Sequence, residues 1–120
     1  METTPKQQIL LVDDSAFTLR YHAELAQMLG LDALTAESGE KAIEMFHRFL
    51  PPLVLCDIMM PDMSGYEVLE ILKETKPDVR LYFISAEYNE TIVAKANSLG
   101  ATGVLNKPLR LDMLKSILSN

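Results

Sequence analysis

The chain is predicted to be an α/β domain, with five parallel strands in one sheet and helices wound over both faces. Three observations carry that expectation. Apolar runs of strand length alternate with longer stretches of helical periodicity, strand first, along the whole chain. Serines, an asparagine, glycines and prolines stand where such helices would start and stop. Four of the runs close on polar or charged residues: Asp13-Asp14, Asp57, Ser85 and Lys107. Alternation at this spacing implies a parallel sheet, and right-handed crossovers then point every strand the same way.

Ile9-Leu10-Leu11-Val12 is the first run, and Ser15 caps the helix after it. Phe17, Tyr21, Leu25 and Met28 recur at helical spacing and are predicted to face the core; Gly30 closes the helix. Asp32 to Ala36 is part polar, so it is predicted nearer an edge of the sheet. Ser38 opens a helix whose inner face reads Ala42, Phe46 and Phe49, flanked by Ile43 and Leu50, and Pro51-Pro52 stops it. Leu53-Val54-Leu55-Cys56 is too short for a helix, apolar enough for a buried strand, and ends on Asp57. Pro61 and Gly65 bend the following loop, and Ser64-Gly65-Tyr66-Glu67 reads as a capping box. Val68, Leu69 and Leu72 give the third helix its apolar face, with Pro77 just past its end. Arg80 to Ile84 is the fourth strand, running into Ser85-Ala86-Glu87. Asn89 caps a helix in which Ile92, Val93, Ala96 and Leu99 face inward, and Gly100 ends it. Thr102 to Asn106 is the fifth strand; Leu111, Leu114, Ile117 and Leu118 mark a last short helix. The strand order 2-1-3-4-5, a flavodoxin-like (βα)5 arrangement, would set strands 1 and 3 side by side at the switch point.

At 120 residues this is one domain, with residues 1–7 a polar N-terminal extension. The sequence stops with its last helix, which fits a stand-alone domain and equally a piece of a longer protein with a C-terminal output domain. Eleven basic against 17 acidic residues leave a net charge of −6, which argues against binding nucleic acid or anionic membranes. The single cysteine excludes an internal disulfide and fits a reducing, cytoplasmic home. Met1 to Gln8 is no signal peptide, and no apolar run approaches transmembrane length.

In a parallel sheet Asp13, Asp14, Asp57, Ser85 and Lys107 share one edge, where open α/β sheets bind ligands. Clustered carboxylates repel, by roughly 4 kcal/mol for two charges about 4 Å apart at an effective dielectric near 20. Protons or a cation must neutralise them, and oxygen-only ligands suit magnesium. Lys107 adds a compact positive charge and Ser85 a hydroxyl. A carboxylate nucleophile, a hard metal, a lysine and a hydroxyl are the parts of phosphoryl transfer. Asp57 is the nucleophile in this reading, because it alone lies on the central strand. Each residue has a plainer reading alone: a solvated turn for Asp13-Asp14, a strand-end turn for Asp57, a surface lysine for Lys107. Four strand ends agreeing on one chemistry outweigh them. Cys56 reads as a core residue without redox role. Met59, Met60 and Met63 read as loop and core filling. His22 and His47 read as solvated, without metal-ligand spacing.

With these residues in place, the chain resembles a response-regulator receiver domain of two-component signalling, of the chemotaxis-regulator kind. The motifs are Leu-Val-Asp-Asp at 11–14, Cys-Asp-Ile-Met-Met-Pro-Asp-Met-Ser-Gly at 56–65, Ile-Ser-Ala at 84–86, Gly-Ala at 100–101 and Asn-Lys-Pro at 106–108. The resemblance runs from Ile9 to about Leu118. It implies that Asp57 accepts a phosphoryl group from a phosphohistidine on a sensor histidine kinase or phosphotransfer protein. It implies that Asp14, Asp57 and the backbone carbonyl of Met59 hold Mg2+, with Asp13 assisting through water. Ser85 and Ala86 would meet the phosphoryl group, and Lys107 would pair with Asp57 and then with the phosphate. Lys107–Pro108 would be cis. Autodephosphorylation would be slow, with no enzymatic action on other molecules. The signal would pass to a protein effector or a fused output domain, from a monomer or weak dimer.

One position departs from the pattern. Family members usually carry Tyr or Phe three residues before the lysine, as a rotating switch, and here that residue is Val104. The nearest aromatic in sequence to Ser85 is Tyr88. Three other readings compete with the phosphoacceptor. A pseudo-receiver, acting only as an interaction module, is favoured by Val104 and opposed by the complete acidic set. A flavodoxin-type electron carrier would need a hydroxyl- and glycine-rich phosphate loop where Asp13-Asp14-Ser15-Ala16 stands. A hydrolase with aspartyl chemistry would want an acid where Met59 stands.

Overall fold

Continuous apolar runs make the central strands buried on both faces. In the computed structural model, which describes residues 7–119, the elements run β1 (Gln8–Val12), α1 (Ala16–Met28), β2 (Asp32–Ala36), α2 (Gly39–Phe49), β3 (Leu53–Asp57), α3 (Gly65–Thr75), β4 (Leu81–Ser85), α4 (Glu90–Ser98), β5 (Gly103–Asn106) and α5 (Leu111–Leu118). The strands form one parallel sheet in the order β2-β1-β3-β4-β5. This is the expected flavodoxin-like architecture. Successive residues of a strand face opposite sides. Leu10, Val12, Val54, Cys56, Leu81 and Phe83 therefore pack with α2, α3 and α4 on one face. Ile9, Leu11, Leu53, Leu55, Tyr82 and Ile84 pack with α1 and α5 on the other. The edge strands β2 and β5 are only partly buried, as the polar residues of β2 predict.

Local chemistry sets most boundaries as expected. Ser15, Ser38, Ser64 and Asn89 each accept a hydrogen bond from the backbone N–H three residues on. Gly30 and Gly100, just past α1 and α4, carry the positive φ that ends a helix cheaply only at glycine. The Lys107–Pro108 bond is cis.

Helix orientation is where the reading needs correction. The face of α1 that meets the sheet is Leu19, His22, Leu25 and Ala26. Phe17, Tyr21 and Met28 lie outside, Phe17 at 83% exposure. His22, expected in solvent, is buried. Two interleaved apolar stripes share this helix, and the sheet took the one with smaller side chains. On α2, Phe49 is exposed and the inner face is Gly39, Ala42 and Phe46. On α4 only Ala96 is fully buried; Ile92 and Leu99 pack partly against the core, and Val93 lines an outer groove with Tyr88 and Asn97. Met60 and Met63 do fill core space, but Met59 is exposed.

Candidate functional site

Parallel register brings the predicted edge together. Val12 pairs with Cys56, Asp57 with Ile84 and Ser85 with Asn106, so β1, β3, β4 and β5 end side by side. Asp13, Asp14 and Asp57 each offer a carboxylate oxygen, all within 4.8 Å of one another. Asp13 and Asp57 are buried, whereas Asp14 is exposed. Asp13 is fixed twice: its N–H donates to Ala36 O at 3.1 Å, and its Oδ1 accepts from the Ser15 N–H at 2.9 Å.

Lys107 is the counter-charge. Its Nζ lies 2.9 Å from Asp13 Oδ2 and 3.4 Å from Asp57 Oδ2. The Asp57 pairing is as expected; the closer bond to Asp13 is not implied by the resemblance. The Lys107 N–H donates to Ser85 O at 2.8 Å, which anchors the lysine to the end of β4. Ser85 is buried and its Oγ accepts from the Glu87 N–H at 3.1 Å. Asp57, Met59, Ser85, Ala86 and Lys107 line one cavity of about 360 Å3, with Tyr66 and Ile92 also in its wall.

The loop after Asp57 depends on Gly65. Its N–H donates to Ile58 O at 2.8 Å, and a Cβ there would run into the Asp57 carbonyl oxygen. Glycine is required for close approach, not for an unusual φ. Asp62 reaches across to the first turn of α2, accepting from the Gly39 and Glu40 N–H groups at 3.5 and 3.4 Å.

Burial raises the pKa of Asp57, and the Asp13 charge raises it further, against the pull of Lys107 and of the Met59 backbone N–H. Burial lowers that of Lys107, but the Asp13 hydrogen bond and the two acidic charges outweigh it and the net shift is upward. Cys56, fully buried beside these acids, is pushed far above the ordinary thiol range, consistent with an inert core residue. Three carboxylates face one ammonium, so the oxygen-only cluster has the donor set and the excess negative charge that a hard divalent cation fits.

Beside this site lies a feature not foreseen from the sequence. Phe17, Thr18, Tyr21, His22, Lys107 and Pro108 line an apolar groove of about 510 Å3. The Tyr21 hydroxyl donates to Leu109 O at 2.8 Å and ties α1 to the segment after Pro108. The signal was the second apolar stripe on α1, visible only once the first was accounted for by the core.

Residues 9–119 match the family model of the response regulator receiver domain. This chain belongs to that family. The receiver is 33% identical over 110 residues to the regulatory protein LuxO of Vibrio cholerae, covering 92% of this chain and 24% of LuxO. A chain of a CheX–CheY–BeF3–Mg complex from Borrelia burgdorferi matches it at 30% identity with a TM-score of 0.87, covering 93% of this chain and 87% of that one. The chemotaxis protein CheY4 of Vibrio cholerae matches in fold, with a TM-score of 0.90 at 23% identity over 96% of this chain and 98% of that one. The receiver spans 28% and 24% of the length of the first curated relatives it matches. Receiver domains are signalling domains of two-component systems. No helix among the described residues is long and apolar enough to cross a membrane.

Proposed function

We propose that this receiver takes a phosphoryl group onto Asp57 from the phosphohistidine of a sensor histidine kinase or phosphotransfer protein. The observation that carries the reading is the Lys107 ammonium held between Asp13 and Asp57 at the joined ends of the sheet. An Asp57 carboxylate oxygen attacks phosphorus, the P–N bond breaks, and the imidazole leaves with the electron pair and takes up a proton. Asp57 must be ionised to attack, and its raised proton affinity makes it a better nucleophile once it is. Ser85 and Ala86 line the space the phosphoryl oxygens would enter. Lys107 offsets the charge that arrives there. Asp14, Asp57 and the Met59 carbonyl would hold Mg2+, with Asp13 behind them; bound, the ion would neutralise phosphoryl oxygens. The BeF3 and magnesium named in the Borrelia complex support this assignment.

The product is an acyl phosphate that hydrolyses slowly at its own site, so the domain signals and does not turn over external substrates. It acts in the cytoplasm, as a monomer or weak dimer, on a protein effector or an attached output domain. A second reading, a pseudo-receiver that binds partners without switching, is favoured by Val104. One measurement separates the two. Incubation with a small acyl-phosphate donor and magnesium should add one phosphoryl group to the intact mass, and Asp57→Asn should take none. Label retained in Asp57→Asn would refute the nucleophile; an unlabelled wild type would favour the pseudo-receiver.

A further inference from the structure

The cavity beside Asp57 has one aromatic wall, and it comes from α3. Tyr66 lines it together with Ser85, Ala86, Ile92 and Lys107. The Tyr66 ring stands edge-on to Phe83, with centroids 5.1 Å apart and planes at 72°. On its way to solvent the ring also meets α4: Lys95 Nζ lies 4.4 Å from its centroid. Phe83 pairs in register with Cys56, next to Asp57, on one side and with Val104 on the other. Tyr66 thus touches the phosphoacceptor cavity, the strand core between Asp57 and Val104, and the outer helix.

Val104 cannot supply a lever of this kind, being β-branched, stiff at χ1 and too short to sweep between two positions. Tyr88, near Ser85 in sequence, is 54% exposed and lines an outward groove. Tyr66 is the aromatic that space, rather than sequence, puts beside Phe83. The helix it contacts is lightly held, since Ala96 is its single fully buried residue.

We infer that Tyr66 couples the contents of the Asp57 cavity to the position of α4, in place of the aromatic missing at Val104. This rests on Asp57 being the phosphoacceptor. A group bonded to Asp57 fills the cavity that Tyr66 walls and draws Ser85 and Lys107 toward it. The ring must then shift against Phe83, and its contact with Lys95 changes. A cation–π contact at a half-exposed site biases a two-state equilibrium by about two- to fivefold. That is a modest bias, and it falls on α4 rather than α5.

The test is amide NMR of the full chain with beryllofluoride and magnesium. In the wild type, signals near Asp57, Ser85 and Lys107 should shift, and so should those from Glu90 to Ser98. Tyr66→Leu should keep the first set and lose most of the second, while Tyr66→Phe, which retains the ring, should keep both. Lys95→Gln, at an exposed position, should weaken the α4 response with the Asp57 signals unchanged. Undiminished α4 shifts in Tyr66→Leu, or in Lys95→Gln should Tyr66→Leu not fold, would overturn the inference. So would a wild type whose Asp57 signals respond while α4 stays still. A wild type in which the Asp57 signals themselves do not respond would remove the phosphoacceptor reading, and the coupling with it.

Discussion

Asp57 is an uncomfortable residue in the folded chain. It is buried next to a second buried carboxylate, and its pKa is raised for those reasons in that order. A carboxylate that holds its proton more tightly folded than unfolded contributes stability only while protonated. That contribution is lost as pH rises from the ordinary carboxylate range through the higher folded-state value. Asp57→Asn removes the repelling charge, so without magnesium it should raise the melting temperature near neutral pH by a few degrees. The gap should close as the pH falls to about 4. Scanning calorimetry of both proteins across that range checks the sign, and equal melting at neutral pH would contradict it. Lys107→Ala acts the other way, leaving Asp13 buried without a counter-charge, a loss on the order of 3 kcal/mol, the low end for a buried pair because the lysine is partly exposed. It should affect phosphorylation by a small donor less than it affects the structural response that follows.

Elements carry the next two expectations. The turn from β3 into α3 works only because Gly65 lets the chain pass against the Asp57 carbonyl. Alanine would gain about 1 kcal/mol of helix propensity. The backbone clash should exceed that gain, so Gly65→Ala should destabilise by about 2 kcal/mol or more, read from its urea midpoint. On α1, Phe17 is 83% exposed in the groove that ends at Lys107 and Pro108. A protein donor must approach this edge to reach Asp57, whereas a small donor need not touch α1. Phe17→Ala should therefore slow transfer from a phosphohistidine protein by about tenfold or more and leave small-donor labelling unchanged. An equal effect on both donors would mean that Phe17 supports the site rather than the partner.

At the scale of the whole domain, magnesium should stabilise the fold by relieving the repulsion among Asp13, Asp14 and Asp57. At ten times its dissociation constant a ligand adds about 1.4 kcal/mol, roughly 5 °C for a domain of this size. Asp14→Asn should remove most of that response. Melting indifferent to millimolar magnesium would discard the metal assignment. With Val104 partly buried and unable to swing, a phosphate mimic should move signals from Val104 to Leu118 only modestly beyond the neighbours of Lys107. Large shifts throughout α5 would reveal a different lever.

Strand number, strand order, four helix caps and the acidic edge were all legible in the sequence. They rest on short apolar runs, side-chain caps and the connection rules of doubly wound parallel sheets. Which stripe of α1 faces the sheet was not legible. Phe17, Tyr21 and Met28 form as continuous an apolar stripe as Leu19, Leu25 and Ala26, so periodicity offers two answers, and only packing against β1, β2 and α5 chooses between them. The same blindness hid the burial of His22 and the openness of α4. Distances between strand ends were equally beyond the sequence, which paired Lys107 with Asp57 but not, more closely, with Asp13. Tyr66 is the clearest case. Its place beside Phe83 and Lys95 joins α3, β4 and α4, and nothing local to residue 66 encodes a contact that exists only once three elements have packed.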